Sequence, residues 1–325
     1  VTRVLGIESS CDETGVAVVE DRQRVAVNLV ASQVEIHAEF GGVVPEIASR
    51  QHMRVISQLT QEAMGSVDGK LDAIAVTNGP GLMGSLLVGV NFAKALAYSW
   101  RVPLVPVHHI EGHIFSPFLN DGGQPEFPAL ALIVSGGHTQ LIQCSAPYEY
   151  CILGTTRDDA IGESFDKVAR LLELPYPGGP SIQRCAETGD PDAIRFPRAF
   201  EKTDTLEFSY SGLKTAVLYE TRKNTGASQS DVAASFQNAA VDALMIKTKL
   251  ALRQTNAPRL IVAGGVAANA LLRLRLESEI DVPLLLPALE YCGDNGAMIA
   301  AAGHSRLESN LTGGMDTTPN SRLAL

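Results

Sequence analysis

No apolar run in this chain approaches the roughly 20 residues that a membrane span needs, and no low-complexity tract interrupts it. Cysteine is scarce. Cys11, Cys144, Cys151, Cys185 and Cys292 are scattered and odd in number, and none forms C-x-x-C. That excludes a disulfide framework and a cysteine zinc site as organising features. The first residues enter a strand-like pattern at once, Val4-Leu5-Gly6-Ile7, so no signal peptide is expected. The expected location is a bacterial cytoplasm, with a mitochondrial or plastid matrix as the alternative, the transit peptide then being absent from this chain. With 325 residues there is room for two domains of ordinary size.

The net charge of −10 argues against a freestanding nucleic-acid binder. The charge is unevenly spread, however. Residues 1–156 carry 8 basic and 15 acidic groups and residues 276–325 carry 2 and 7, whereas residues 157–275 carry 16 and 14. Any RNA phosphate is expected on that middle region, although a solvated surface gives the same composition.

The first half reads as a three-strand meander over 2–9, 15–20 and 24–32. A helix follows from Pro45 to about Met64, then a buried strand over 72–77 and the glycine turn Gly79-Pro80-Gly81. A helix from Met83 to Tyr98, a strand over 104–107 and a helix beginning near His109 complete it. The second half repeats the scheme. Strands are expected over 129–135, 139–145 and 150–155, helical material over roughly 158–255, a strand over 259–263, a helix over 267–280, a strand over 283–286 and a helix over 295–307. The result is an α/β fold, βββαβαβα twice, with a helical insertion in the second copy. This duplicated order resembles the actin, sugar kinase and Hsp70-type ATPase superfamily, whose domains are ribonuclease H-like and hold nucleotide between them. The expected domains are 1–126 and 127–325, with the last helix and tail free to pack back on the first.

Three turns of the second half have the chemistry to hold phosphate or adenosine. Ser135-Gly136-Gly137-His138-Thr139 joins two strands, and its glycines let backbone N–H groups approach an anion. Tyr176-Pro177-Gly178-Gly179-Pro180 precedes a helix, at the positive end of its dipole. Ala263-Gly264-Gly265-Val266-Ala267-Ala268-Asn269 follows a strand, and Asn269 is placed to meet a ribose or adenine edge. Each taken alone is equally a structural turn. None is a P-loop or a Rossmann fingerprint.

The sharpest local feature is Val107-His108-His109-Ile110-Glu111-Gly112-His113, which holds three of the seven histidines. His109 and His113 are four apart, so on a helix they share one face and reach one metal ion. Surface or capping histidines would give the same spacing. Zincins use H-E-x-x-H, whereas here Glu111 sits one position too far on, about 100° further round the helix. The protease reading fails on that ground. Two histidines leave a metal under-ligated, and the best further candidate is Asp294, at the mouth of the last helix. Approximate twofold symmetry between the halves would bring the two helix starts together. A helix N-cap is the alternative role for Asp294.

Together these residues resemble the tRNA adenosine threonylcarbamoyltransferases, a family once labelled a glycoprotein endopeptidase for its histidine pair. The resemblance rests on residues 6–14 (Gly-Ile-Glu-Ser-Ser-Cys-Asp-Glu-Thr), 41–46, 79–82, 108–113, 135–140, 163–167, 176–180, 208–214, 264–269 and 294–298, in order along nearly the whole chain. The Asp-Glu-Thr and Gly-Gly-His-Thr variants point to the bacterial or organellar branch. The resemblance implies transfer of a threonylcarbamoyl group from threonylcarbamoyl-adenylate to the exocyclic amine of the adenosine 3′ of the anticodon, in tRNAs reading codons that begin with A. AMP leaves.

It further implies one divalent metal ion per subunit, iron or zinc, on His109, His113 and Asp294. The adenylate is implied at Ile133, Val134, Ser135, Gly136 and Gly137, and at Asp166, Gly179 and Asn269. Gln183 stands where the family often has an acidic residue for ribose. Asp12 and Glu13 are the candidate bases or positioners. Lys167, Arg170, Lys214 and the Lys247–Arg253 face are candidate tRNA phosphate contacts. Implied partners are a degenerate same-fold paralogue and a P-loop ATPase in bacteria, and a second copy of the chain in mitochondria. Competing readings are a small-molecule carbamoyltransferase or kinase of the same superfamily, and a nucleotide-switch scaffold.

Overall fold

The computed structural model describes residues 1–120, 123, 125–223 and 226–325. The chain forms two compact units, Val1–Pro125 with Pro287–Leu325, and Glu126–Leu286.

The first unit begins with the meander β1 (Arg3–Glu8), β2 (Glu13–Glu20) and β3 (Arg24–Ser32), followed by a short helix α1 (Val34–Ala38). The long helix α2 (Pro45–Gly65) opens with proline at its first position, where no intrahelical donor is lost. Then come β4 (Ala73–Gly79), α3 (Met83–Trp100), β5 (Leu104–His108) and α4 (His109–Phe115). The sheet order is β3-β2-β1-β4-β5, antiparallel in the meander and parallel from β1 to β4 to β5. Leu5, Ile7, Val16, Val18, Ile74 and Val76 point to one face. There they form a core with Ile56 and Ala63 of α2 and with Val90, Ala93 and Ala97 of α3.

The second unit repeats the scheme with β6 (Ala129–Val134), β7 (Thr139–Ala146) and β8 (Glu149–Thr155), then α5 (Ile161–Leu171), α6 (Gly178–Ala186), α7 (Ser211–Lys223) and α8 (Gln229–Thr255). β9 (Leu260–Ala263), α9 (Ala270–Glu279) and β10 (Leu284–Leu285) close it. Its sheet order, β10-β9-β6-β7-β8, is the first sheet's order with each strand replaced by its counterpart.

The expected helical insertion over 158–255 is not continuous. Residues 187–210 carry no helix, because Gly189, Pro191 and Pro197 break it. Instead, α8 fastens this segment side chain by side chain: Ser235 Oγ accepts from the Ile194 amide at 3.1 Å, Arg198 donates to Asp242 at 2.9 Å, and Lys247 Nζ donates to the Phe200 and Thr203 carbonyls. Residues 224 and 225 of that expected insertion lie outside the described residues.

The last helix, α10 (Gly296–Glu308), packs on the first unit, against β1, β2, β4 and α4. The alternate face of the first sheet accepts it because small residues line that face. A Cβ on Gly296 would lie 2.5 Å from the Ala17 nitrogen and 2.8 Å from the Gly6 oxygen, and Gly303 lies against Ala75. No helix among the described residues is long and apolar enough to cross a membrane.

Candidate metal centre

β5 ends at His108 and α4 starts at the next residue, so the histidine pair enters the core on the first turn of a short buried helix. His109 and His113 are 4% and 0% exposed, which removes the surface-histidine alternative. The capping role belongs to His108, whose Nδ1 accepts from the Ile110 amide at 3.1 Å. Burial pulls the His108 imidazole down to about 4.

Asp294 Oδ1 lies 3.1 Å from His113 Nε2 and 3.6 Å from His109 Nε2. The three side chains offer ligand atoms within 4.8 Å of one another, and the group can hold a metal ion. Asp294 is not the cap of α10. That cap is Asn295, whose Oδ1 accepts from the Met298 amide at 2.9 Å. All three ligands belong to one compact unit, because the small-residue seam brings α10 onto the sheet that carries α4.

Behind the pair sits Glu8, wholly buried at the end of β1. Its Oε2 accepts from His109 Nδ1 at 3.1 Å and from Thr77 Oγ1 at 2.6 Å, and its Oε1 accepts from the Ser10 amide at 2.5 Å. A carboxylate only accepts, so the proton of His109 is fixed on Nδ1 and Nε2 is left facing Asp294. Burial and Asp294 would raise Glu8, but the charge and hydrogen bond of His109, together with the Thr77 bond, hold the carboxyl below its usual range. Reciprocally, burial pulls His109 down, yet Asp294 and Glu8 together raise it to about 9.

Both ring nitrogens of His113 are buried without a hydrogen bond. An unsatisfied buried polar group costs about 1–3 kcal/mol, and a cation between Nε2 and the facing Asp294 carboxylate would remove that cost at Nε2. Two imidazoles and a carboxylate suit iron or zinc. The residues therefore fit a metal.

Asp12 and Glu13 lie on the β1–β2 turn beside this group. Burial raises Glu13 to about 9, with Asp294, Asp12 and Glu8 adding to the effect. Burial raises Asp12 as well, and Asp294 adds to it. The turn is held by buried His52 of α2, which bridges the Cys11 carbonyl (Nε2, 2.9 Å) and Thr14 Oγ1 (Nδ1, 2.7 Å). Glu111 points away from the ligands and pairs with Arg306 of α10 at 2.8 Å, as its helical position requires. Sequence reasoning missed Glu8, His52 and the cap of His108. A lone carboxylate closing the apolar run Val4–Ile7 was the available signal for Glu8.

In the second unit the glycine turns converge on the ends of β6 and β9. Gly264, at φ +99°, lies against Val134, and the Gly162 amide donates to the Ser135 carbonyl at 3.2 Å. Gly136, Gly137 and Gly179 face open space. Ile133 and Val134 are wholly buried, so backbone at the strand end is what they offer a ligand. Asp166 Oδ1 accepts from the Gly178 amide at 2.7 Å and so ties α5 to the start of α6. Gln183 Oε1 accepts from the Ala270 amide at 2.8 Å.

Asn269 caps α9 through the Leu272 amide and donates to Gln237 at 2.9 Å. The helix consequently starts at Ala270 and not at Ala267, and residues 265–268 form a 3-10 turn.

The basic residues divide. Lys247 is 1% exposed and is no candidate phosphate contact, since its ammonium is consumed by the loop carbonyls. Lys167 and Lys214 both pair with Asp159 at 2.6 Å.

A family model described as TsaD, tRNA N6-adenosine threonylcarbamoyltransferase, matches residues 24–301. The tRNA N6-adenosine threonylcarbamoyltransferase of Carboxydothermus hydrogenoformans is 52% identical over 307 residues, covering 93% of this chain and 92% of its own length. Among solved structures, component A of the (R)-2-hydroxyglutaryl-CoA dehydratase of Acidaminococcus fermentans has a TM-score of 0.58 at 13% identity, covering 95% of this chain and 100% of that one. HypF of T. kodakarensis has a TM-score of 0.60 at 16% identity, covering 95% of this chain and 48% of its own. At such identities the structural likeness speaks for the fold alone, the two-unit actin-like ATPase α/β fold. The family model and the shared sequence decide the rest: this chain belongs to the tRNA N6-adenosine threonylcarbamoyltransferases, transferases of tRNA modification.

Proposed function

We propose that this chain moves a threonylcarbamoyl group from threonylcarbamoyl-adenylate to N6 of the adenosine 3′ of the anticodon, in tRNAs that read codons beginning with A. The observation that carries the reading is the set of buried His109 and His113 with half-buried Asp294, braced by Glu8, in a chain 52% identical to a transferase of that name. In the reaction a bond forms between N6 and the carbamoyl carbon. The bond from that carbon to the phosphate oxygen breaks, AMP leaves with its electron pair, and N6 loses a proton.

One divalent ion per subunit, iron or zinc, would be held by His109, His113 and Asp294 and would supply positive charge for the oxyanion that develops at the carbonyl. Glu8 keeps the Nε2 lone pair of His109 presented. Asp12 and Glu13 take the role of accepting the N6 proton or orienting the amine. In the metal-free chain burial and Asp294 raise Glu13, so its readiness as a base follows the charge of the ligand set. His52 fixes the turn that carries both acids.

In the second unit, backbone amides of Ser135–Gly137 at the end of β6 (Ile133, Val134) and of Gly179 at the start of α6 suit the adenylate phosphate. Asp166, Gln183 and Asn269 brace that surface. The tRNA is assigned to basic groups of residues 157–275, Arg170 and Arg253 among them. The cellular setting we assign is a bacterial cytoplasm, with a same-fold paralogue and a P-loop ATPase as partners. In a mitochondrion the partner would be a second copy.

The test is incubation with tRNA transcript and synthetic threonylcarbamoyl-adenylate, with and without chelator. Chelator-sensitive formation of the modified adenosine is expected. Absence of product with every partner combination, or transfer to a metabolite without tRNA, defeats the reading.

A further inference from the structure

After α10 the chain runs back along the first unit as a strap. The Gly313 amide donates to the Leu104 carbonyl at 2.8 Å, in an antiparallel bridge on the edge strand β5. Lys94 Nζ of α3 donates to the Thr317 carbonyl at 2.8 Å. The Asn320 amide donates to the Asn78 carbonyl at 2.9 Å and the Gly81 amide to the Ser321 carbonyl at 3.3 Å, so the strap crosses the turn after β4. It then reaches the metal helix: His108 Nε2 donates to the Leu323 carbonyl at 3.1 Å.

The same imidazole accepts the Ile110 amide on Nδ1. One ring thus joins the strap to the first turn of α4, and its two bonds fix the neutral Nε2–H tautomer. That turn matters because α4 has seven residues, with metal ligands at the first and the fifth. A helix so short has little stability of its own. If its first turn frays, His109 moves relative to His113 and Asp294.

We infer that His108 is a positioning residue through which the C-terminal strap holds the metal helix and sets how long an ion stays on His109, His113 and Asp294. The inference rests on the metal reading of those three residues. It gives the strap a role beyond covering an exposed sheet edge.

The test uses the full chain loaded with zinc and follows release to an excess of colorimetric chelator. His108→Asn keeps an acceptor for the Ile110 amide but is too short for the Leu323 carbonyl. Truncation after Ser321 removes that carbonyl, together with the Arg322 and Leu323 amides that donate to Asn320, and leaves the contacts of Gly313, Thr317, Asn320 and Ser321 with the first unit in place. Each is expected to speed release about tenfold, the usual scale for an outer partner of a metal ligand. The two changes combined should be no faster than either alone, because both break the same bond between the strap and the metal helix.

Hydrogen exchange at the α4 amides should quicken in the truncated chain, a readout that does not need metal. Unchanged release in both variants, or effects that multiply in the double variant, overturns the inference while leaving the metal site standing. A full chain that takes up no zinc overturns the metal reading and this inference with it.

Discussion

Glu8 and His109 are joined by a 3.1 Å hydrogen bond between two buried groups, one ending the first strand and the other opening a helix 101 residues later. The bond decides which imidazole nitrogen is left for a cation. Glu8→Gln preserves shape and removes charge, so His109 keeps an acceptor but loses the field that raises its basicity. Zinc affinity, measured by competition with a chelator of known strength, is expected to fall about 10- to 100-fold. Affinity equal to that of the unaltered chain would show that Glu8 only fills space.

Protons report on the same cluster. In metal-free protein His109 is raised to about 9 from 6.5 and Glu13 to about 9 from 4.5, while Glu111 is raised to about 7. A group with a raised folded-state pKa contributes stability below its unfolded value and loses it as pH climbs to the folded one. All three act in the same direction. Burial depresses His108, His52 and His304, which act the other way up to about pH 6.5, so the chelated protein should lose stability between about pH 6.5 and pH 9. Metal needs the deprotonated forms, so zinc loading should flatten that decline and release protons near pH 7.5. Calorimetric titration in buffers of different ionisation enthalpy measures the release. A proton count of zero contradicts the assignment.

Much of this was legible in the sequence, for reasons that differ by residue. The two meanders and the alternating strands and helices declare themselves through apolar periodicity, and the observed strands fall where the pattern puts them. The histidine pair is local, so its spacing and a helical geometry suffice. Asp294 was harder, because its neighbour Asn295 is an equally good cap, and only the packing of α10 distributes the two roles. Glu8, His52 and the link between His108 and Leu323 depend on contacts across 101, 41 and 215 positions. No local pattern encodes such pairs. Lys247 looked like a surface cation because helical lysines usually are. Its burial follows from a loop that turns its Phe200 and Thr203 carbonyls onto the ammonium.

Glycine separates fold from chemistry. At Gly296 a new Cβ meets the backbone of β1 and β2, which cannot yield. Gly296→Val is therefore expected to cost about 3 kcal/mol or more, read as a lower denaturant midpoint. At Gly137 a Cβ meets nothing within 4 Å, so Gly137→Ala should leave stability within about 0.5 kcal/mol. The same change crowds the proposed phosphate cradle, and KM for threonylcarbamoyl-adenylate should rise with kcat little altered. A large stability loss at Gly137 would mean that the turn is structural.

Asp294 and Asn295 are neighbours with opposite duties, and exchanging their losses tests both. Asn295 is buried, caps α10 through the Met298 amide, and donates Nδ2 to the Gly293 carbonyl at 2.7 Å. Asn295→Ala should cost about 1–2 kcal/mol of stability and leave zinc stoichiometry intact, because all three ligands remain. Asp294→Asn leaves the cap and the helix in place. It replaces the anionic ligand by a neutral amide, whose oxygen is a weak donor to iron or zinc. Zinc stoichiometry and transferase activity should both collapse. Stability of the metal-free chain should change little, because Asp294 faces Glu13, Asp12 and Glu8 with like charge but His109 with opposite charge. If instead Asp294→Asn destabilised the chain while zinc still bound, the carboxylate would be the structural partner and the metal would lie elsewhere.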